Sequence, residues 1–533
     1  MIKKTHKILN HKITHKINKK IHQKLKKRLK HHQSKSITNL CQQSQESIKT
    51  LTSNEIHSSY TKYLSSLVNT FIHNHKHTLD NLFNIKQINH SKLQYQTRVL
   101  GYANPDYSNG TLDNTLKVPN FIELFKYLFT IPTFNKHFTT DELNSFQNIS
   151  TKSKHQIYNY LHNNPIGNKL ADIYYKEFYN SSSNLQPTLE SKFPSAKFHQ
   201  LLINSFTSYK ILEDIEKHMT TLSIGSLDNK DLLYIFSNIK EAKGQWSSDR
   251  HYDFWALNSL GSDIIDRILF FNEFLNTDKL PNKVIIFLTN QEKEIDEALE
   301  HKAHFRTLNV NTAVTNGQDI IIYRKQELLK SIFHELIHFH QMDFRTIPPQ
   351  SENTILAYLK KTHNIAENNE YLLYECVTES LANILNNIYS SKTKNLKDFQ
   401  THFIDELIFS TFQVAKILRL CKYNSWEEFA ILDNNKHTHN HAKQFKQDSC
   451  VFSYYILKLY ILLNIDEYWN TILDTQLKFI PTEDNFNKLV NLFEKGRNNK
   501  ELARMINALL NSKITKKKAK TQINKTLRMT CME

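Results

Sequence analysis

Glycine is nearly missing from this chain, with 8 residues in 533, and proline is almost as rare at 10. Tight β-hairpins draw on glycine for positive-φ turn positions, so the scarcity argues against a hairpin-rich β architecture and for helices. Cysteine is sparse too: Cys41, Cys376, Cys421, Cys450 and Cys531, none in Cys-x-x-Cys spacing. An odd, scattered set excludes a disulfide framework and a cysteine-ligated zinc ribbon. It fits an intracellular, reducing compartment. No apolar run reaches the ~18 residues that a membrane helix needs. The nearest, residues 452–465, is broken by Lys458 and reads as a buried helix. No acidic residue occurs before Glu46, and no apolar segment of a secretory signal is present near the start. Residues 37–270 show no internal repeat and no glycine-rich phosphate loop.

What is there suffices for a large core. Hydrophobic residues make up 39% and aromatics 11% of the chain, which excludes wholesale disorder. A length of 533 residues is compatible with about three domains. Asn, Lys and Ile dominate while Ala and Gly are thin, the coding bias of an AT-rich genome such as that of a large DNA virus or some protists. The net charge is +17, concentrated at the two ends. Such an excess favours polyanionic partners.

Residues 1–36 hold twelve Lys, Arg28 and six His. Ile13, Ile17, Ile21, Leu25 and Leu29 recur every fourth residue and share one slowly drifting helical face. Three readings stand side by side: a solvated arm that orders on a partner, an arm for nucleic acid or an anionic surface, and a mitochondrial-type presequence. Basic ends also suit packaging into a virion. Residues 37–274 read as a helical region. Apolar spacings of three and four mark helices at 120–129, 198–212 and 261–275, and 100–116 reads as a loop.

The pattern changes near residue 280. Residues 284–288 and 320–323 are short apolar runs expected to be buried strands, and 309–314 reads as an exposed edge strand. A helix is expected over 327–342, and helices resume after 350. The organisation expected is therefore a basic arm (1–36), a helical region (37–274), a catalytic core (275–400), a helical region completing a cleft (401–512) and a basic tail (513–533). The fold class is mainly α with a small mixed β-sheet.

The helix at 327–342 contains His334-Glu-Leu-Ile-His338. Positions i and i+4 stack on one helical face, so two imidazoles can approach a single zinc ion. Glu335 lies about 100° away from His334, too far round for a comfortable third ligand and well placed to take a proton from a metal-activated water. Leu329, Ile332, Phe333, Leu336 and Ile337 supply a packing face. A catalytic zinc needs a third protein ligand. On the helix expected near 371–385, Glu375 and Glu379 sit one turn apart among apolar residues, and either could serve.

These two segments resemble the gluzincin group of zinc metallopeptidases, the thermolysin-like and aminopeptidase branches. Thr378-Glu-Ser-Leu-Ala-Asn383 is similar to that group's second motif. The resemblance implies a zincin-like core with one Zn2+ per chain on His334, His338 and Glu379. It places Asn383 as the support of a zinc-bound histidine, where the thermolysin-like branch has Asp; Thr378 replaces the usual Asn. Glu375 is then left as the second-choice ligand or a nearby support. The third histidine of the metzincin pattern is absent, Phe344 standing there, and His340 points away from His338. An oxyanion donor from the C-terminal helices is expected, with Tyr454, Tyr455, His437, His439 and His441 as candidates. The implied activity is peptide-bond hydrolysis, as an endopeptidase because no exopeptidase glycine motif precedes the helix. The alternative is a structural or nucleic-acid-associated protein with an inactive core and basic arms.

Overall fold

The computed structural model describes residues 41–85, 93–99, 120–178, 202–203, 207–219, 221–238, 255–366, 371–391, 395–431, 445–474, 477–512 and 522–532. The basic arm at 1–36, the expected loop at 100–116, His437, His439, His441 and the lysines at 513–520 lie outside the described residues.

The protein is mainly helical around one six-stranded mixed sheet, with a separate two-stranded pair of His304–Phe305 and Lys446–Gln447. The strands are β1 (Leu93–Val99), β2 (Thr221–Leu227), β3 (Lys230–Ser237), β4 (Lys283–Phe287), β5 (Ala313–Thr315) and β6 (Asp319–Ile322). Their order across the sheet is β1-β2-β3-β4-β6-β5. The central β3-β4-β6 ladder is parallel, and β5 closes one edge antiparallel to β6.

Parallel strands covered on both faces read as unbroken apolar runs. Alternation then divides each run between two cores. Leu233, Ile235, Val284, Ile286, Ile320 and Ile322 face one core. Tyr234, Phe236, Ile285, Phe287, Ile321 and Tyr323 face the other. The second core is filled by helices from 121–178 and 209–218. The first holds five helices that matter below: α1 (Asn54–Asn74), α2 (Trp255–Leu275), α3 (Leu328–Phe339), α4 (Tyr374–Ser391) and α5 (Leu396–Leu420).

Two expectations change here. Residues 37–274 contribute β1, β2 and β3, so a boundary at 275 would cut through the sheet, and α1 packs against α5 in the C-terminal helical body. The hairpin β2–β3 turns through Asp228 (φ 49°) and Asn229 (φ 65°). Their short polar side chains tolerate the left-handed region, so this hairpin forms without glycine. Second, within the expected basic tail at 513–533, the described residues 522–532 pack into the interior. Thr526 to Met532 are buried, Arg528 included, and Lys525 is exposed.

This terminal strap is built into the interior by hydrogen bonds. The Leu527 amide donates to the Lys293 carbonyl at 2.6 Å, and the Ile295 amide to the Lys525 carbonyl at 2.8 Å. The Glu327 carboxylate accepts the Met529 and Thr530 amides at 2.5 and 2.7 Å and pairs with Lys293. Glu406 on α5 accepts the Thr530 hydroxyl and the Cys531 amide. Glu327 sits at the N-terminus of α3 with φ 61°, where a buried anion also meets the positive end of the helix dipole.

Candidate metal centre

Helix α3 spans Leu328–Phe339 and is buried along its whole length. It lies between β5–β6 on one side and α2 and α4 on the other. Leu336, Ile337, Ile332 and Phe333 bury its apolar face, which fixes the rotation of the helix and turns His334 and His338 toward α4. The helices meet so that one turn back on α3 matches one turn forward on α4. Lys330 therefore meets Glu379, and the two histidines meet Glu375.

At the upper level the Nε2 atoms of His334 and His338 are 3.2 Å apart. Oε2 of Glu375 lies 3.3 Å from the first and 3.4 Å from the second. Four ligands tetrahedrally placed at 2.0–2.1 Å from one zinc would be separated by about 3.3 Å. The three atoms thus form one face of such a tetrahedron, with the fourth corner open.

The surroundings determine what these atoms offer. Nδ1 of His334 stands 3.0 Å from Glu379, and Nδ1 of His338 stands 2.5 Å from Asp343. Carboxylates in these positions hold the Nδ1 protons, which leaves a lone pair on each Nε2. Oε2 of Glu375 is buried and has no donor in hydrogen-bond geometry. Two imidazole lone pairs and one carboxylate lone pair converge on a single point. That arrangement calls for a cation, and these residues could hold a metal ion.

In the metal-free protein, protons on the imidazoles meet the same charge. Burial acts to lower the His338 pKa, but the charge of Glu375 and the bond to Asp343 overcome it and raise the value to about 10. His334 is raised as well, its carboxylate neighbours outweighing burial. Burial would lift Glu375, yet the two histidines hold it below the ordinary carboxylate range. Glu335 is buried, lines the cavity and has its pKa raised by burial. A carboxylate of raised basicity is what general-base chemistry near neutral pH uses.

The residues expected from sequence divide clearly. His334, Glu335 and His338 lie together in the cavity, and Tyr454 stands against His334 with ring centroids 6.0 Å apart. Glu379 is displaced from the ligand position. It is fully buried, takes two bonds of 2.7 Å from Lys330 Nζ and orients His334, so Glu375 makes the third corner. Asn383 is two turns beyond Glu375, donates to Glu406 at 2.9 Å and supports no histidine. Tyr455 points away and donates to the Leu527 carbonyl of the strap. Both tyrosines lie within a π-helical turn, Phe452–Leu457.

Two residues at the site escaped sequence reasoning. Asp343 follows the helix end, where Gln341 (φ 56°) turns the chain back on His338, and Arg345 Nε holds Asp343 at 2.7 Å. No helical spacing predicts that geometry. Tyr374 precedes Glu375, lines the cavity and lies 6.1 Å from His338 by ring centroids. Burial, then the Glu375 charge, keeps the Tyr374 and Tyr454 phenols protonated. The choice between Glu375 and Glu379 did carry a signal: Lys330, four residues before His334 in an apolar helix, needs a buried carboxylate of its own.

The cavity is open and holds about 140 Å³. That is smaller than the ~300–1,000 Å³ of small-molecule pockets. Residues 310–315 form one wall, with β5 at its rim. The edge strand is shorter than expected, because Thr307–Val310 is a helical turn and only Ala313–Thr315 is extended. No known protein family, curated protein or solved structure matches the chain. Among the described residues, no helix is long and apolar enough to cross a membrane.

Proposed function

We propose that the chain is a zinc-dependent peptide hydrolase, an endopeptidase, with the ion on His334, His338 and Glu375 and with Glu335 as general base. The observation that carries the reading is the convergence of three lone-pair atoms at 3.2–3.4 Å beside a buried, basic carboxylate. Two imidazoles, one carboxylate and an open fourth corner suit a catalytic rather than a closed structural zinc site. Bound there, the ion would polarise a scissile carbonyl and make a water acidic enough to deprotonate near neutral pH.

The chain's own residues supply the rest. Glu335 takes the proton of the attacking water and delivers it to the leaving amine. The Tyr454 phenol, held protonated beside His334, donates to the oxyanion. Glu379 and Asp343 fix the two imidazoles so that both Nε2 atoms face one point. The substrate lies extended along β5, which is the end strand of the sheet among the described residues and borders the cavity.

The test uses the full chain loaded with zinc and an unfolded protein substrate. Glu335→Gln should keep the metal and lose turnover by roughly 10²–10⁴-fold. His338→Ala should lose both. Turnover retained in Glu335→Gln would remove the proposed base, and a zinc-loaded parent without hydrolysis would reduce the site to a structural one.

A further inference from the structure

The strap ends beside a second feature, independent of the metal centre. Cys41 lies in the helical stretch described over residues 41–51, and Cys531 lies in the strap. The two residues are 490 positions apart in the chain, yet their Sγ atoms are 2.6 Å apart and both side chains are buried. Cys376 belongs to α4, Cys421 ends α5 and Cys450 precedes the π-helical turn.

Both backbones at the pair are already held. The Ser44 hydroxyl donates to the Cys41 carbonyl at 2.7 Å. The Cys531 amide donates to Glu406 at 3.0 Å, and Asn386 Nδ2 to the neighbouring Met532 carbonyl at 3.0 Å. Cys41 and Met532 line a surface cavity with Gln42, Glu46, His57 and Asp405. Cys531 lies behind, fully buried, with its thiol pKa raised by that burial.

We propose that Cys41 and Cys531 form a closable thiol pair, joined by a peroxide-class oxidant into a disulfide that staples the C-terminal strap to the helical stretch at 41–51. Cys41, at the cavity wall, attacks a peroxide oxygen; the O–O bond breaks, one water leaves and Cys41 becomes a sulfenic acid. The Cys531 sulfur then attacks the Cys41 sulfur and displaces the second water. Two thiols are oxidised and one hydrogen peroxide is reduced to two waters. The staple ties down the segment whose amides bind Glu327, at the foot of the helix that carries His334 and His338.

The experiment uses the full chain, purified under reductant, desalted and exposed to hydrogen peroxide. Denaturing alkylation and peptide mapping should show the loss of two hydrogens, a Cys41–Cys531 linked peptide and alkylation of the other three cysteines. Cys41→Ser and Cys531→Ser should each abolish the link. Because the closed loop is very long, the thermal midpoint of the oxidised parent should rise by roughly 5 °C and that of either variant should not. Five alkylated thiols after oxidation, a link between other cysteines, or Cys41 carried to a sulfinate beside a free Cys531 thiol would each overturn the proposal. If a variant does not fold, the map of the parent decides alone.

Discussion

Replacing Lys330 by Met would strand a fully buried charge near the metal centre. Glu379 is fully buried, and both of its oxygens accept from Lys330 at 2.7 Å. In Lys330→Met the carboxylate keeps His334 Nδ1 at 3.0 Å and the charge of Lys458, but loses its ion-pair partner. Removing one member of such a buried pair costs about 3–5 kcal/mol, because the remaining charge is left uncompensated. Replacing both members by apolar residues is near neutral, so Lys330→Met/Glu379→Leu should recover most of that loss. The pH dependence follows with a definite sign. Lys330 helps to hold the Glu379 pKa below its unfolded value of 4.5, so the pair's contribution is present above about pH 4.5 and fades as the pH falls through the depressed folded value. The gap between parent and Lys330→Met should therefore narrow in acid. Urea unfolding of the metal-free proteins at pH 7.5 and pH 4 measures it. A single variant costing under about 1 kcal/mol, or a double variant less stable than the single, would refute the assignment of Glu379 to Lys330.

Two further outcomes follow from the site. Tyr454→Phe should lower turnover by roughly 10–10³-fold with zinc retained, whereas Tyr455→Phe should leave turnover near that of the parent; steady-state kinetics on the loaded enzymes decide between them. Metal uptake should release protons. His338, raised to about 10, is protonated near pH 7.5 in the metal-free protein, and ligation needs it neutral. Calorimetric titration in two buffers of different ionisation enthalpy should give different apparent heats, and affinity should rise with pH; equal heats would contradict the protonated resting state. The His338 shift makes the metal-free fold gain from its protonated imidazole below about pH 6.5, a gain lost as the pH rises through about 10.

The parts legible in the sequence are those set by short-range periodicity. The i, i+4 pairing of His334 and His338 and the apolar face of α3 follow from helical geometry alone. The runs at 284–288 and 320–323 became β4 and β6, each shifted by one residue. What stayed hidden depends on contacts between distant segments. The β2–β3 hairpin turns through Asp228-Asn229, which composition does not flag. Glu375 and Glu379 share one helical face, so only the partner of Lys330, set by how α3 meets α4, separates ligand from support. Asn383 fits a motif by spacing, but α5 brings Glu406 to it first. The basic character of the C-terminus concealed the strap, whose burial rests on Glu327 and Glu406 receiving its amides.

The most direct test of the account is the zinc content of the folded parent, Glu375→Gln and Glu379→Gln, each measured by elemental analysis after saturation and removal of excess metal. The parent should hold close to one zinc. Glu375→Gln should hold almost none, while Glu379→Gln should still bind, with affinity weakened by roughly 10–100-fold. Zinc lost from Glu379→Gln and kept in Glu375→Gln would contradict the geometry, and a folded parent that takes up none would contradict the metal centre itself.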